Sequence, residues 1–250
     1  MKGRSALPRL AFFLGLLALA AGISSPVWGR AILKRIDYFS VRHVEVVGAR
    51  WAAPDAVLDR AGIDRGRSVW DDYSDVERRL VKHPLVEEAR VHRSGFHGLR
   101  IVVREVEPAA MVGTPELRVV LADGTLLPID PVGKPLDLPV VVEQAELAED
   151  STEIREGPAL AALRIFAQIM ELDPGLAEVM SDFGLVNDSE LMTSLEASQP
   201  ANRLALPGKI DEALLRRIRA TLSDLRSRGV KAELVEARFA NQIVVRRENS

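Results

Sequence analysis

Nineteen consecutive positions, Leu10 to Trp28 (LAFFLGLLALAAGISSPVW), carry no charged side chain. No other feature limits this chain so much. As a helix rising 1.5 Å per residue the stretch is about 28 Å long, close to the hydrocarbon thickness of a bilayer. Lys2, Arg4 and Arg9 precede it without an intervening acid, Trp28 suits the interface, and Arg30, Lys34 and Arg35 follow at headgroup depth. The length favours a retained anchor over residues 10–29 with a cytoplasmic tail of 1–9. The rival is a cleaved signal peptide. Ala18-Leu19-Ala20 offers a small-x-small cleavage pattern, and Ser24, Ser25 and Pro26 weaken the second half of a spanning helix. Both readings put the remaining chain outside the cytoplasm.

That remainder has the composition of folded protein. Of 250 residues, 47% are hydrophobic and 28% charged, enough for a packed core. There is no cysteine, which excludes disulfide scaffolds, thiolate metal sites and cysteine nucleophiles. The net charge of −3 lacks the basic excess of a nucleic-acid binder.

Residues 38–107 read as strand, helix, helix, strand, strand. Val41 to Val47 alternates apolar and polar positions until Gly48. Pro54 opens a helix with Val57, Leu58 and Ala61 on one stripe, and Gly62 closes it. Asp72 or Ser74 caps a second helix that buries Val76, Leu80 and Tyr73, and His83-Pro84 ends it. Val86 to Arg93 and Leu99 to Glu105 are the remaining strands, joined by a turn around Phe96.

Residues 110–247 read as a mixed sheet with helices. Leu117–Leu121 and Leu126-Leu127 flank an Asp123-Gly124 turn, and Leu138 to Val142 is a short strand after a loop punctuated by prolines. A helix begins at Gly157-Pro158, with Leu163, Phe166, Ala167 and Met170 on one face, and stops at Asp173-Pro174-Gly175. Strands are expected at Phe183–Val186, Leu191–Leu195 and Arg203–Leu206. Asp211 caps a further helix with Leu215, Ile218, Leu222 and Leu225 inward. Val230–Ala237 and Ile243–Arg246 close the chain around Asn241-Gln242.

Few residues suggest chemistry. His92 and His97 flank one hairpin, but two ligands do not make a closed metal site, and exposed histidines by a turn are the simpler reading. His43 and Glu45 share one strand face, as a solvated face does. Asp71, Asp72 and Asp75 fit a helix first turn better than a cation site. Ser68 and Ser74 have no recognisable histidine partner. Neither G-x-S-x-G nor a phosphate loop nor G-x-G-x-x-G occurs. Arg216, Arg217, Arg219, Arg226 and Arg228 stud the last helix, either as a solvated face or as a contact for anionic lipid or an acidic partner. The expectation is no enzyme, cofactor, metal, nucleic acid or small-molecule substrate.

The order βααββ is that of a POTRA domain, and the wording narrows it. Phe39-Ser40-Val41, Val44-Glu45-Val46-Val47-Gly48, His83-Pro84-Leu85-Val86, Ala89-Arg90-Val91, Leu99 to Val103 and Glu105-Val106-Glu107-Pro108-Ala109-Ala110 follow one another behind the apolar stretch. Asp123-Gly124, Leu138-Pro139, Val235 to Phe239 and Gln242 to Val245 follow in the second half. Together they resemble the FtsQ/DivIB family of bacterial cell-division proteins. Leu85 stands where the family often has an aromatic, the hairpin Ser94 to Gly98 lacks a frequent proline, and Glu236 replaces a frequent Asp. The resemblance implies an α+β chain: transmembrane helix, POTRA domain, then a mixed, mostly antiparallel β domain with flanking helices. It also implies a non-catalytic scaffold of the inner membrane at the division septum. Its partners would be FtsB- or DivIC-like and FtsL-like proteins, with FtsK-, FtsW- and FtsI-like proteins further candidates. The candidate contact segment is Arg238, Phe239, Asn241, Gln242, Ile243, Val244 and Val245, with Phe239 as apolar anchor and Arg238 facing an acidic partner. A plain closing strand is the alternative for that segment. A POTRA-type assembly factor for outer-membrane or secreted proteins is the alternative for the whole chain.

Overall fold

The computed structural model describes residues 37–64, 66–114, 116–131, 133, 136–147, 151–187, 189–239 and 242–247. The predicted tail and anchor, 1–29, lie outside them. Among the described residues no helix is long and apolar enough to cross a membrane. The chain divides between Glu105 and Val106 into two compact units.

In the first unit a 3-10 turn, Asp37–Phe39, leads into β1 (His43–Val47), α1 (Pro54–Ala61), α2 (Ser74–Leu80), β2 (Val86–Ser94) and β3 (Gly98–Glu105). The sheet order is β1-β3-β2. β1 runs parallel to β3, which requires a crossover, and the two helices supply it. β2 and β3 form an antiparallel hairpin. Leu99, Ile101 and Val103 alternate onto the buried face and meet the helix stripes of Val57, Ala61, Val76 and Leu80. The other face is solvated and carries cross-strand pairs, Glu45–Arg100 at 3.0 Å and Glu88–Arg104 at 3.1 Å. His43 and Glu45 lie on that polar face.

Local chemistry explains the boundaries. Gly48 has φ +91°, and a Cβ there would lie 2.2 Å from the Val103 carbonyl oxygen, so only glycine fits. Gly62 ends α1 in the left-handed region and donates its N–H to Leu58 O. α2 stops at Leu80, three residues ahead of His83-Pro84, because Lys82 and His83 donate back to Arg79 and Leu80 in tight turns. Asp72 Oδ1 accepts from Ser74 N (3.0 Å) at the start of α2. Tyr73 is buried with its hydroxyl donating to Ser68 O (2.9 Å), and burial pushes its phenol up to about 12. Ahead of α1, the Glu105 carboxylate accepts from the N–H groups of Arg50 (2.9 Å), Trp51 (2.7 Å) and Ala52 (2.7 Å). The last residue of β3 thereby closes the loop that follows β1.

The second unit comprises β4 (Ala110–Thr114), β5 (Glu116–Val120), β6 (Leu126–Leu127), β7 (Val140–Val141), α3 (Pro158–Leu172), α4 (Pro174–Ala177), β8 (Met180–Asn187), β9 (Glu190–Leu195), β10 (Ala201–Pro207), α5 (Glu212–Ser227), β11 (Ala232–Phe239) and β12 (Gln242–Arg247). All its strands join one sheet in the order β12-β11-β10-β9-β8-β7-β4-β5-β6. Most neighbours are antiparallel. β10–β11, β8–β7 and β7–β4 are parallel. α3 and α5 share a single core with the inward residues of the sheet. Phe166 on α3 stacks on Phe183 of β8 with centroids 4.4 Å apart, and Ile218 of α5 is fully buried in the same cluster.

Three sequence expectations need revision. β4 went unread, since Ala110 to Thr114 is short and ends in Gly-Thr, yet it is a central strand between β5 and β7. Asp173-Pro174-Gly175 does more than stop α3. Asp173 caps the single turn α4 by accepting from Leu176 N at 3.1 Å. The buried face of α3 is also wider than the predicted stripe: Leu163 and Phe166 are joined by Leu160 and Ile169, while Ala167 and Met170 are partly buried, Met170 against the same core.

Removing the Glu105 carboxylate strands three backbone donors. Glu105→Ala should cost the first unit about 3 kcal/mol in denaturant unfolding, and Glu105→Gln less, since one amide oxygen remains. An unchanged midpoint for Glu105→Ala would contradict this role.

Candidate partner-binding edge

β11 and β12 form the last hairpin, and β12 ends the sheet. Val235 pairs with Val245, Glu236 with Val244, and Phe239 with Gln242, with register shifts on the way. Ile243 and Val245 pack against the core beneath the helices, and Val244 lies on the opposite face by alternation. The outer side of β12 therefore presents backbone groups that no described strand pairs with. The opposite edge differs. β6 has only two residues, and it is covered: Leu126 N donates to Thr152 O (2.8 Å) and Thr125 bridges to Glu153.

Val235 and Ala237 enter the core, so Glu236 between them lies on the other face. Its carboxylate is 4% exposed and holds two arginines: Arg246 Nη2 at 2.7 Å and Arg238 Nη2 at 3.4 Å. Arg238 also donates through Nη1 to Glu190 Oε2 at 3.0 Å. Two carboxylates and two guanidiniums thus tie β9, β11 and β12 into one balanced lattice. Glu190, and more weakly Glu236, hold Arg238 above its ordinary arginine pKa.

The seven residues predicted to meet a partner are therefore not equivalent. Arg238 is half-buried and already paired through both terminal nitrogens with Glu190 and Glu236 of its own chain. Phe239 is 39% exposed at the hairpin end, its ring 5.4 Å from the Arg238 guanidinium. Gln242 is exposed, Ile243 and Val245 are half-buried toward the core, and Val244 is half-buried on the far face. Asn241 lies outside the described residues. Glu190 and Arg246 belong to this site and were not read from the sequence. Their only sequence-level signal is the charge of Glu236 within an apolar strand.

The remaining candidates are engaged locally. His92 lies exposed on β2, and the ring of His97, in the hairpin turn, sits 4.8 Å from Tyr38. Among the described residues no His, Asp or Glu completes a set of three ligands around them. Neutral His83 accepts from Leu85 N through Nδ1 (3.2 Å), and burial, then the nearby Arg60 charge, holds it below its usual pKa. Asp71 accepts from Ser68 N at 2.9 Å, and Asp75 pairs with Arg67 and Arg79 at 3.1 Å. The Arg67 hydrogen bond, foremost, lowers the Asp75 pKa. On α5, Arg216 pairs with Glu212 and Arg219 with buried Asp173 at 2.5 Å, and Arg228 just past its end pairs with Asp224. These are features of a solvated helix face. In the first unit, Val91 N of β2 donates to Glu77 Oε1 (2.8 Å), so a client strand adding there would meet an occupied donor.

Residues 39–105 match the family described as "POTRA domain, FtsQ-type". The chain is 32% identical over 222 residues to the cell division protein FtsQ of Rhodothermus marinus, covering 85% of this chain and 80% of that protein. It is 28% identical over 228 residues to FtsQ of an Anaeromyxobacter species, covering 88% and 74%. It is 31% identical over 126 residues to the cell division protein DivIB of Geobacillus kaustophilus, covering 48% of each.

The lattice predicts an asymmetry. Glu236→Ala leaves Arg246 without its acid and should destabilise the second unit by about 3 kcal/mol, whereas Arg246→Ala, removing the most exposed member, should cost under about 1 kcal/mol. Equal losses in denaturant unfolding would contradict the arrangement.

Proposed function

The chain belongs to the FtsQ/DivIB family of bacterial cell-division proteins, and on that premise we propose that it captures FtsB- and FtsL-type partners by strand addition along β12. Family membership supports a cell-division scaffold with other division proteins as partners, and we read it as non-catalytic. The proposed setting is the septal region of the cytoplasmic membrane, with both units outside the cytoplasm and residues 10–29 as a retained anchor.

One observation carries the reading. Of the two edges of the nine-stranded sheet, β6 is short and covered, and β12 is six residues long with no described strand on its outer side. An extended segment that adds there gains main-chain hydrogen bonds, and side chains beside it set specificity. Phe239 supplies an apolar contact at the hairpin end, and aromatic contacts of this kind dominate binding energy. Arg238 acts here as a positioning residue. Held by Glu190 and Glu236, it supports the hairpin from which Phe239 projects.

Adjacent prolines test the mode of binding. Successive N–H groups of a strand point to opposite sides, so Val244→Pro and Val245→Pro remove donors from different edges. One variant should lower the unfolding midpoint of the free protein. The other should leave it in place and weaken partner binding about tenfold, the equivalent of one lost hydrogen bond. Phe239→Asp should abolish measurable binding while the fold persists. Undiminished affinity in the fold-neutral proline variant and in Phe239→Asp would sink the assignment.

A further inference from the structure

The first unit concentrates aromatic rings at one end. Tyr38, 56% exposed, packs edge-on against Phe39 with centroids 5.3 Å apart. Phe39 reaches Trp70 at 6.2 Å and Phe96 at 6.3 Å. Phe96 is 65% exposed at the tip of the β2–β3 hairpin. In a chain with 5% aromatic residues, four of them share this one surface.

Topology puts that surface where the chain enters the unit. β1 and β3 are parallel and start in register, His43 opposite Gly98. The hairpin tip just before Gly98 therefore lies beside the 3-10 turn just before β1. The loop carrying Trp70 is held there as well, since Ser40 bridges to Ser68 and Val69 N donates to Phe39 O at 2.9 Å.

Charge completes the pattern. The Arg93 guanidinium lies 3.6 Å from the centroid of Trp70, and neither Arg93 nor the exposed Arg42 has a carboxylate partner among the described residues. Asp37 is the acid on the 3-10 turn. Only residues 29–36 separate Asp37 from Trp28, and they include Arg30, Lys34 and Arg35. Even fully extended, the chain from Trp28 to Asp37 spans at most about 32 Å. Aromatic rings flanked by unpaired arginines, held this near a bilayer, match the chemistry of an interfacial lipid contact.

We propose that this aromatic end docks on the outer surface of the bilayer that holds residues 10–29, with Tyr38 and Phe96 at headgroup depth and Arg42 and Arg93 facing lipid phosphates. The proposal rests on the reading of residues 10–29 as a retained span. Docking would orient the first unit relative to the membrane, which a connection alone does not.

The absence of cysteine makes the test direct, because one introduced cysteine labels one position. Full-length chains carrying a polarity-sensitive dye at Leu17→Cys, Ser94→Cys or Glu87→Cys are reconstituted into phosphatidylethanolamine–phosphatidylglycerol vesicles containing lipid spin-labelled at the headgroup or, to reach Leu17, along the acyl chain. Ser94 and Glu87 sit near opposite ends of β2, about 23 Å apart. Quenching is expected at Leu17 and Ser94 and not at Glu87. Adding Tyr38→Ser and Phe96→Ser should return the Ser94 label to the Glu87 level with the unfolding midpoint unchanged. A quenched Leu17 label with Ser94 no more quenched than Glu87 would overturn the docking alone. An unquenched Leu17 label would overturn the anchor and the docking with it. Protection of Ser94 only in native membranes, and not in pure lipid, would assign the patch to a protein partner instead.

Discussion

An open β-sheet must end in strands whose outward backbone groups lack a partner. In this chain that constraint shapes the second unit. The sheet grows on either side of the parallel β7–β4 and β7–β8 pairs, by hairpins except at the parallel β10–β11 junction, which α5 crosses. On one side it dwindles to β6, which a later segment covers. On the other it stops at β12, the last described strand, with nothing in the described chain beyond it. No described strand pairs with those groups, and an added extended segment would supply partners for them.

Holding such an edge in one register is a problem of its own, because a terminal strand has one neighbour and slips more easily than a central one. The Glu190–Arg238–Glu236–Arg246 lattice meets it from one face, while Ile243 and Val245 meet it from the other by packing on the core. Buried ion pairs are a weak source of net stability, since desolvation consumes most of the attraction. Their geometry is directional, however, and suits the fixing of register. The first unit treats its charges differently. Its cross-strand ion pairs, Glu45–Arg100 and Glu88–Arg104, lie on the solvated sheet face, and the free side of β2 is occupied at Val91 by Glu77. The two units thus leave different surfaces open: a strand edge in one, an aromatic end in the other.

Most of the first unit was legible in the sequence because its signals are local. Gly48 and Gly62 stop elements at positions where the backbone is left-handed, and the alternation in β3 maps directly onto its buried and exposed faces. The second unit was legible in its strong elements, such as α5 with its Asp211 cap, which accepts from Leu214 N at 2.7 Å. It was not legible where context decides. Ala110 to Thr114 becomes a strand only because β5 and β7 flank it. Which strand is terminal depends on the order of nine strands, to which no single segment testifies. Arg238 read as a free cation because its partner Glu190 is 48 residues away along the chain. The identity of the contact segment came from resemblance, and the open edge became visible only once the sheet order was known.

The most direct measurement is hydrogen exchange of the full-length protein with and without the extracytoplasmic segment of an FtsB-type partner. Strand addition predicts slowed exchange for outward-facing amides between Gln242 and Arg247, with β6 unaffected. Binding confirmed by an independent method, with protection elsewhere and none in β12, would contradict the account.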